Sequence, residues 1–452
     1  MNNKDFNKLI NTFNSIVDNA KSYNFKANKI ISISSSISDE FVNYLIKQNS
    51  NDISIFFSND KNSIYNFGIE KSFQFFSFEE YFNEKDKILN LISNTSFLNQ
   101  DLDNKVFLFG GFNFDMKIQN KDFWEGIPSI NFQLPKLTVH KNKLRINLYL
   151  KSSTSKNNIK LIISDYIDDL RKPNDELIKG KNIIKEIKDL MSKKLYSSRL
   201  NDLLETIKDK KNSIYKIVCS RTRKITFSNS ISYFEIFRKL CFNNSKNMSF
   251  IYDFGNGRVM IGSTPELILS KKSNFIQSES IAGSNFDNKT DDFIIDEKEI
   301  KEQKFVTDYI ENFFKKNTND IRFNRNPKIK KLSNIEHLCT SFEGELSNDK
   351  NILDLLNDLH PTPAICGISK YESLKIIRDL DENRGWYGGP IGWIDNNLDG
   401  EFYLNIRSGL VDNDILYLFS GSGITEKSRI ENEWKETEQK FKLMMNTFIY
   451  EK

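Results

Sequence analysis

The chain has 452 residues, of which 65 are Lys or Arg and 61 are Asp or Glu, for a formal charge of +4. So even a balance excludes the basic footprint of a nucleic-acid binder. No apolar run approaches the roughly 18–20 residues that span a bilayer, and the opening MNNKDFNKLINTF has no apolar core of the signal-peptide type.

Residues 1–50 read as a polar helix near 4–20, a strand KIISISSS and a second helix near 38–48. Residues 53–57, 64–67 and 72–76 are β-branched and aromatic and read as an antiparallel meander. A helix over 78–98 follows. VFLFGGFNFDMK (106–117) is a strand that Gly110-Gly111 breaks with a bulge or bend. FQLPKL (132–137) and a strand over 143–151 come next. Residues 152–193 are rich in Lys, Asn and Asp and read as a surface excursion carrying a helix over 158–171. Cys219, Cys241, Cys339 and Cys366 form no CxxC pair, and His140, His337 and His360 are scattered. A zinc cluster is not expected, and reduced thiols in the cytoplasm are.

Chemistry-bearing residues begin near 196–225, an amphipathic helix followed by a strand. Lys216 stands at the strand's entrance, where an isolated lysine ordinarily snorkels to the surface. In 248–284, three strands with turns at 255–257 and 271–274, Glu266 follows Pro265 and precedes an apolar run. It reads either as a strand-start cap or as a partly buried acid. In the helix over 296–316, Glu302, Val306, Tyr309 and Phe313 share one stripe, with Glu299 beside it. Carboxylates on a buried face need a cation, either a metal or a basic side chain. In the last helix Glu433, Glu436 and Lys440 share a face beside Trp434, Phe441, Met445 and Phe448. Two helices that each present acids at i and i+3 can build an oxygen-rich Mg²⁺ site. His337, in a strand over 335–346, reads by itself as a satisfied core histidine.

Residues 359–440 concentrate three of the chain's 8 prolines and nine of its 19 glycines. Such crowding marks tight turns or close approach of main chain. Arg407 reads as lying inside an alternating strand, with Phe402, Leu404 and Ile406 against Tyr403, Asn405 and Arg407. Gly421-Ser422-Gly423 follows the apolar ILYLF and reads as a turn whose free N–H groups could hold an anion.

The words HPTPA (360–364), RGWYGGPIGW (384–393), GEFYLNIRS (400–408), GSGI (421–424) and EWKETEQK (433–440) occur in this order. With IYKIVCSR around Lys216, GSTPELILS around Glu266 and IAGS (281–284), they resemble the chorismate-utilising enzymes. The resemblance covers about 53–449 and is nearest to the isochorismate synthase branch. It implies an α+β fold of two large packed antiparallel sheets with helices outside and the active site in a cleft between the halves. The implied layout is a weakly matching segment 1–50 and one catalytic domain 51–452, with a divergent half (51–193) and a motif-rich half (194–452).

The resemblance also implies roles. Lys216 is the general base that activates water, where ammonia-using members carry Gln. Glu266 is the general acid. Mg²⁺ is held by Glu302 and Glu436, with Glu299 and Glu433 behind them or reached through water. Gly283, Ser284, His337, Tyr387, Arg407, Gly421, Ser422, Gly423 and Lys440 contact substrate. Ala364 occupies the place where isochorismate-forming members tend to carry Ala and others Thr. The sequel Gly367-Ile368-Ser369-Lys370 departs from the family's usual GxPR. The expected reaction is Mg²⁺-dependent conversion of chorismate to isochorismate, for menaquinone or siderophore synthesis, in the cytoplasm and without a glutamine amidotransferase subunit. The alternatives are a salicylate synthase, which also eliminates pyruvate, and a non-catalytic chorismate-binding paralogue.

Overall fold

β-branched and aromatic residues crowd the alternating runs of this chain, and in the computed structural model they form a hydrogen-bonded system of 21 strands with helices around it. The structure describes residues 3–20, 28–48, 53–58, 63–99, 104–151, 154–171, 183–209, 211, 213–244, 246–285, 297–332, 335–380 and 382–448. Strand pairing is antiparallel throughout the described residues, except where Ile31 and Ser32 run parallel to Ser96 and Phe97. The α+β expectation therefore holds. The strand Lys29–Ser36 pairs along its length with Lys143–Leu150, so residues before 50 are built into the same sheet.

Period-2 alternation explains how one strand serves two cores. In Met248–Gly255, Phe250 and Tyr252 enter one apolar cluster while Ile251 enters the other. In Ile415–Thr425, Tyr417 and Phe419 face the first cluster, and Leu416 and Leu418 the second. Strands covered on both faces read as continuous apolar runs, as ILYLF does. Among the described residues no helix is long and apolar enough to cross a membrane.

Several element boundaries differ from the sequence reading. The helix near 78–98 is Phe78–Ser93, capped at its start by Ser77 Oγ accepting from Glu80 N–H. The meander strands at 64–67 and 72–76 are one long strand, Ser63–Phe75, with a register shift between Ile69 and Lys71. Gly110 and Gly111 do not break their strand. They sit inside Phe107–Phe112, where a Cβ on Gly110 would come within 2.2 Å of Asn131 O. Residues 184–189 add an edge strand that the polar composition of 152–193 concealed.

The site is positioned by one antiparallel pair and two helices. Strand Lys216–Phe227 lies against Ile415–Thr425 in a register that sets Lys216 opposite Thr425 and Val218 opposite Gly423. Helix Glu297–Asn317 packs on strands Phe275–Asn285 and Glu336–Glu345, and helix Ile430–Phe448 packs on Ile415–Thr425.

Candidate active site

Lys216 does not snorkel. Its side chain has 0 % exposure, and Nζ lies 2.7 Å from Glu302 Oε1. Its backbone is held on both sides, by Thr425 in one neighbouring strand and Ile368 in the other. Gly367 permits the second contact, because at φ +151° a Cβ would lie 2.3 Å from Lys216 O. Gly367 and Ile368 thus form a short strand that pins the lysine.

Gly421-Ser422-Gly423 is not a turn. It lies within Ile415–Thr425, and its residues pair with Ser220, Cys219 and Val218. The glycines serve clearance instead. A Cβ on Gly423 would stand 2.6 Å from Lys216 Cε and 2.7 Å from Glu302 Oε1. Alternation turns the Ser422 side chain away from the cleft. Its Oγ is 2.9 Å from Tyr196 Oη on the other face of the strand.

Glu266 lies between strands Arg258–Thr264 and Leu267–Lys272, with 4 % of its surface exposed. Burial, reinforced by the charge of Glu279 and opposed by Lys330 and Lys216, pushes its carboxyl up to about 8. It is a protonated donor at neutral pH. Its main-chain oxygen accepts the Leu404 N–H at 3.0 Å, which ties it to the segment leading to Arg407.

Arg407 does not lie inside a strand. Gly400–Leu404 stops three residues earlier, and Arg407 takes φ +51°. This left-handed turn re-aims the side chain to the cleft wall beside His337, with Nη2 3.5 Å from His337 Nε2. His337 Nδ1 is 2.6 Å from Gly283 O. Burial, then the Arg407 charge, drives the imidazole down to about 3, so it is neutral. The Gly283 contact places its proton on Nδ1 and leaves Nε2 as an acceptor. Gly283 takes φ +73° where the pairing of Phe275–Asn285 with Glu336–Glu345 slips between Ala282 and Asn285. Alone, His337 read as a core residue. It is buried, and it also lines the cleft.

Glu302 and Glu436 line the same cleft as Lys216's neighbours Val218 and Gly423, together with Glu266, Ala364, Tyr387, Gly421 and Lys440. Lys440 Nζ donates to Glu436 Oε1 at 2.6 Å and to Gly421 O at 2.8 Å. Tyr387 stacks on Phe419 with ring centroids 5.2 Å apart. Glu299 accepts the Ser284 N–H at 2.9 Å, which fixes the main chain near Gly283. Glu433 is buried to 1 % exposure in the first turn of its helix.

Among the described residues no three His, Cys, Asp or Glu side chains close a ready-made metal cluster. The donor set still fits Mg²⁺. Magnesium binds through one or two carboxylates and completes its shell with water and substrate oxygens. Glu302 and Glu436 supply two such carboxylates at the cleft wall, and Gly423 keeps Cβ bulk away from the first of them.

Sequence reasoning gave no role to Arg384. This residue is 3 % exposed and joins three parts of the site. It donates to Val218 O at 2.6 Å and Ile365 O at 2.8 Å, and it pairs with Glu382 at 2.8 Å. It thereby couples the Lys216 strand to the loop that carries Ala364. Its place in RGWYGG was a signal, but the two carbonyls it joins, Val218 O and Ile365 O, are distant from it in sequence.

A family model described as chorismate binding enzyme matches residues 15–449. The isochorismate synthase MenF of Bacillus subtilis is 28% identical over 352 residues, covering 75% of this chain and 74% of that protein. The isochorismate synthase EntC of Escherichia coli is 30% identical over 244 residues, covering 52% of this chain and 62% of that protein. Among solved structures, the menaquinone-specific isochorismate synthase MenF of Escherichia coli superposes with a TM-score of 0.79 at 18% identity, covering 98% of this chain and 99% of that one. Anthranilate synthase component I of Streptococcus pneumoniae superposes at 0.71 with 20% identity, covering 86% and 92%. These two structures share the fold.

Proposed function

The chain belongs to the chorismate-binding enzymes, and we propose that within that family it is an isochorismate synthase. The observation that carries this reading is that Glu266 lines a cleft whose wall residue Glu302 pairs with Lys216. The Lys216 side chain is fully buried against Glu302, and burial raises the Glu266 carboxyl to about 8.

In this reading chorismate enters with its enolpyruvyl carboxylate toward Arg407 and Tyr387. An arginine fork matches the two oxygens of a carboxylate. Neutral His337 presents Nε2 to Arg407 without adding a competing charge. Lys216 takes a proton from a water molecule as its oxygen bonds to ring C2. The ring double bonds shift, the C4–O bond breaks, and Glu266 gives its proton to the departing hydroxyl. One water is consumed and one released, so the net change is an isomerisation. Each positioned acid or base is worth about 10²–10⁴-fold in rate.

Magnesium belongs to the proposal. Glu302 and Glu436 would hold it, with Glu433 behind them, and Glu299 would act indirectly by fixing Ser284. Bound there, the ion supplies positive charge for the ring carboxylate. Relatives named as menaquinone-specific and vibriobactin-specific isochorismate synthases form the same product, and we extend that pair of possibilities to this chain. The four cysteines are free thiols, which suits a reducing cytoplasm.

Incubation of purified protein with chorismate and Mg²⁺, followed by HPLC, tests the reading. An isochorismate–chorismate mixture is expected. Salicylate with pyruvate would move the protein to the salicylate synthase branch, and no conversion would favour a non-catalytic paralogue.

A further inference from the structure

The acid at Glu266 is held from behind by an ion pair that the reaction itself does not use. Lys330, in the short strand Lys328–Lys331, stands opposite His337 in the adjoining strand. Its Nζ donates to Pro265 O at 2.8 Å and to Glu279 Oε2 at 2.6 Å. Pro265 O belongs to the peptide whose nitrogen is Glu266's own, so this contact anchors the acid's main chain. The Lys330 and Glu279 side chains are 25 % and 23 % exposed, at the edge of the site rather than inside it.

Resting on the functional reading above, we propose that Lys330 is a positioning residue for Glu266, and that the Glu279–Lys330 pair balances the charge around the acid so that it carries its proton through the working pH range. The charged and titratable groups around this position are Lys216, Glu279, Lys330, His337, Cys339 and Arg407, with Glu302, Glu436 and Lys440 lining the same cleft. Burial keeps two of them uncharged, since His337 is driven down to about 3 and the Cys339 thiol up to about 12. Glu279 strengthens the hold of Glu266 on its proton, and Lys330 weakens it.

Opposite signs give a test that a merely structural role would not pass. Glu279→Gln should move the alkaline limb of the kcat–pH profile down by about one pH unit, and Lys330→Met should move it up by about one. The double variant should return the limb toward the wild-type position. Lys330→Met should also lower kcat more than it changes KM for chorismate. A ¹³C-glutamate NMR titration of the free enzyme reads the Glu266 proton without turnover. Opposite displacements in both measurements support the proposal; displacements of one sign, or none, overturn it. If Lys330→Met does not fold, Glu279→Gln alone decides, and an unmoved or raised limb overturns it. If the wild type converts no chorismate, the functional reading fails while the NMR titration still decides on the pair.

Discussion

Lys216 Nζ and Glu302 Oε1 lie 2.7 Å apart, with the lysine wholly buried and the glutamate 16 % exposed. The contact joins the residue assigned to the proton of water with a residue assigned to the metal. It gives a lysine sealed under a strand a polar partner for its buried amine. It also means that the charges of the two sites depend on each other.

Replacement of Lys216 by Gln should reduce turnover by about 10²–10⁴-fold, the range for removal of a positioned base. Glutamine keeps most of the volume, and Glu302 can rehydrate from the cleft, so the fold should survive. Circular dichroism and a steady-state assay on the same preparation check both parts. Wild-type-like rates would remove Lys216 from the role of base.

Glu266 links activity to stability with a definite sign. Its folded value, about 8, lies above its ordinary 4.5, so between those values the folded state binds more protons than the unfolded one. Stability from this group is fully present below the ordinary value and declines as pH rises through about 8, by at most about 1.4 kcal/mol per pH unit. Glu266→Gln removes the burden. The variant should be inactive and should lose less stability than wild type between pH 5 and about 8, as read by urea unfolding at stepped pH. Parallel pH curves for the two proteins would contradict this.

Gly423→Ala tests the clearance argument. The new methyl would stand 2.6 Å from Lys216 Cε and 2.7 Å from Glu302 Oε1. Overpacking of this kind costs roughly 1–3 kcal/mol. Thermal unfolding should show a folded but less stable protein, with kcat and Mg²⁺ affinity both reduced. A variant with unchanged kcat and affinity would show that the glycine is not needed there.

Much of this site was legible because several short words occur in a fixed order, each bringing one chemical group. Lys216 and Glu266 were read that way, and local pattern alone assigned them blander roles. The misreadings share one physical cause. Gly421, Gly423, Gly110 and Gly111 were read as local breaks, but each answers to something distant in sequence: clearance for Tyr387, for Lys216 with Glu302, or for a neighbouring strand. Arg407 looked like a strand residue because 402–407 alternates, yet its φ of +51° ends that pattern. Lys330 carried no local signal, since its partners come from the link at Pro265 and from the strand that holds Glu279.

Removal of Mg²⁺ should abolish turnover, and titration calorimetry should find binding that Glu436→Gln weakens by at least tenfold. Lys440 loses its ion pair in that variant as well, so Lys440→Met is the control. It should raise KM for chorismate without weakening Mg²⁺ binding to the free protein. Equal Mg²⁺ affinity in wild type and Glu436→Gln would place the ion elsewhere.

The central claim is that this protein adds water to chorismate at C2 while the C4 hydroxyl departs. Turnover of unlabelled chorismate in H₂¹⁸O, stopped early and read by mass spectrometry with fragment assignment, addresses it most directly. The account predicts isochorismate carrying one ¹⁸O, located in the new C2 hydroxyl. Isochorismate without label would mean that the hydroxyl migrates within the molecule, and the water-activating role of Lys216 would fall with it.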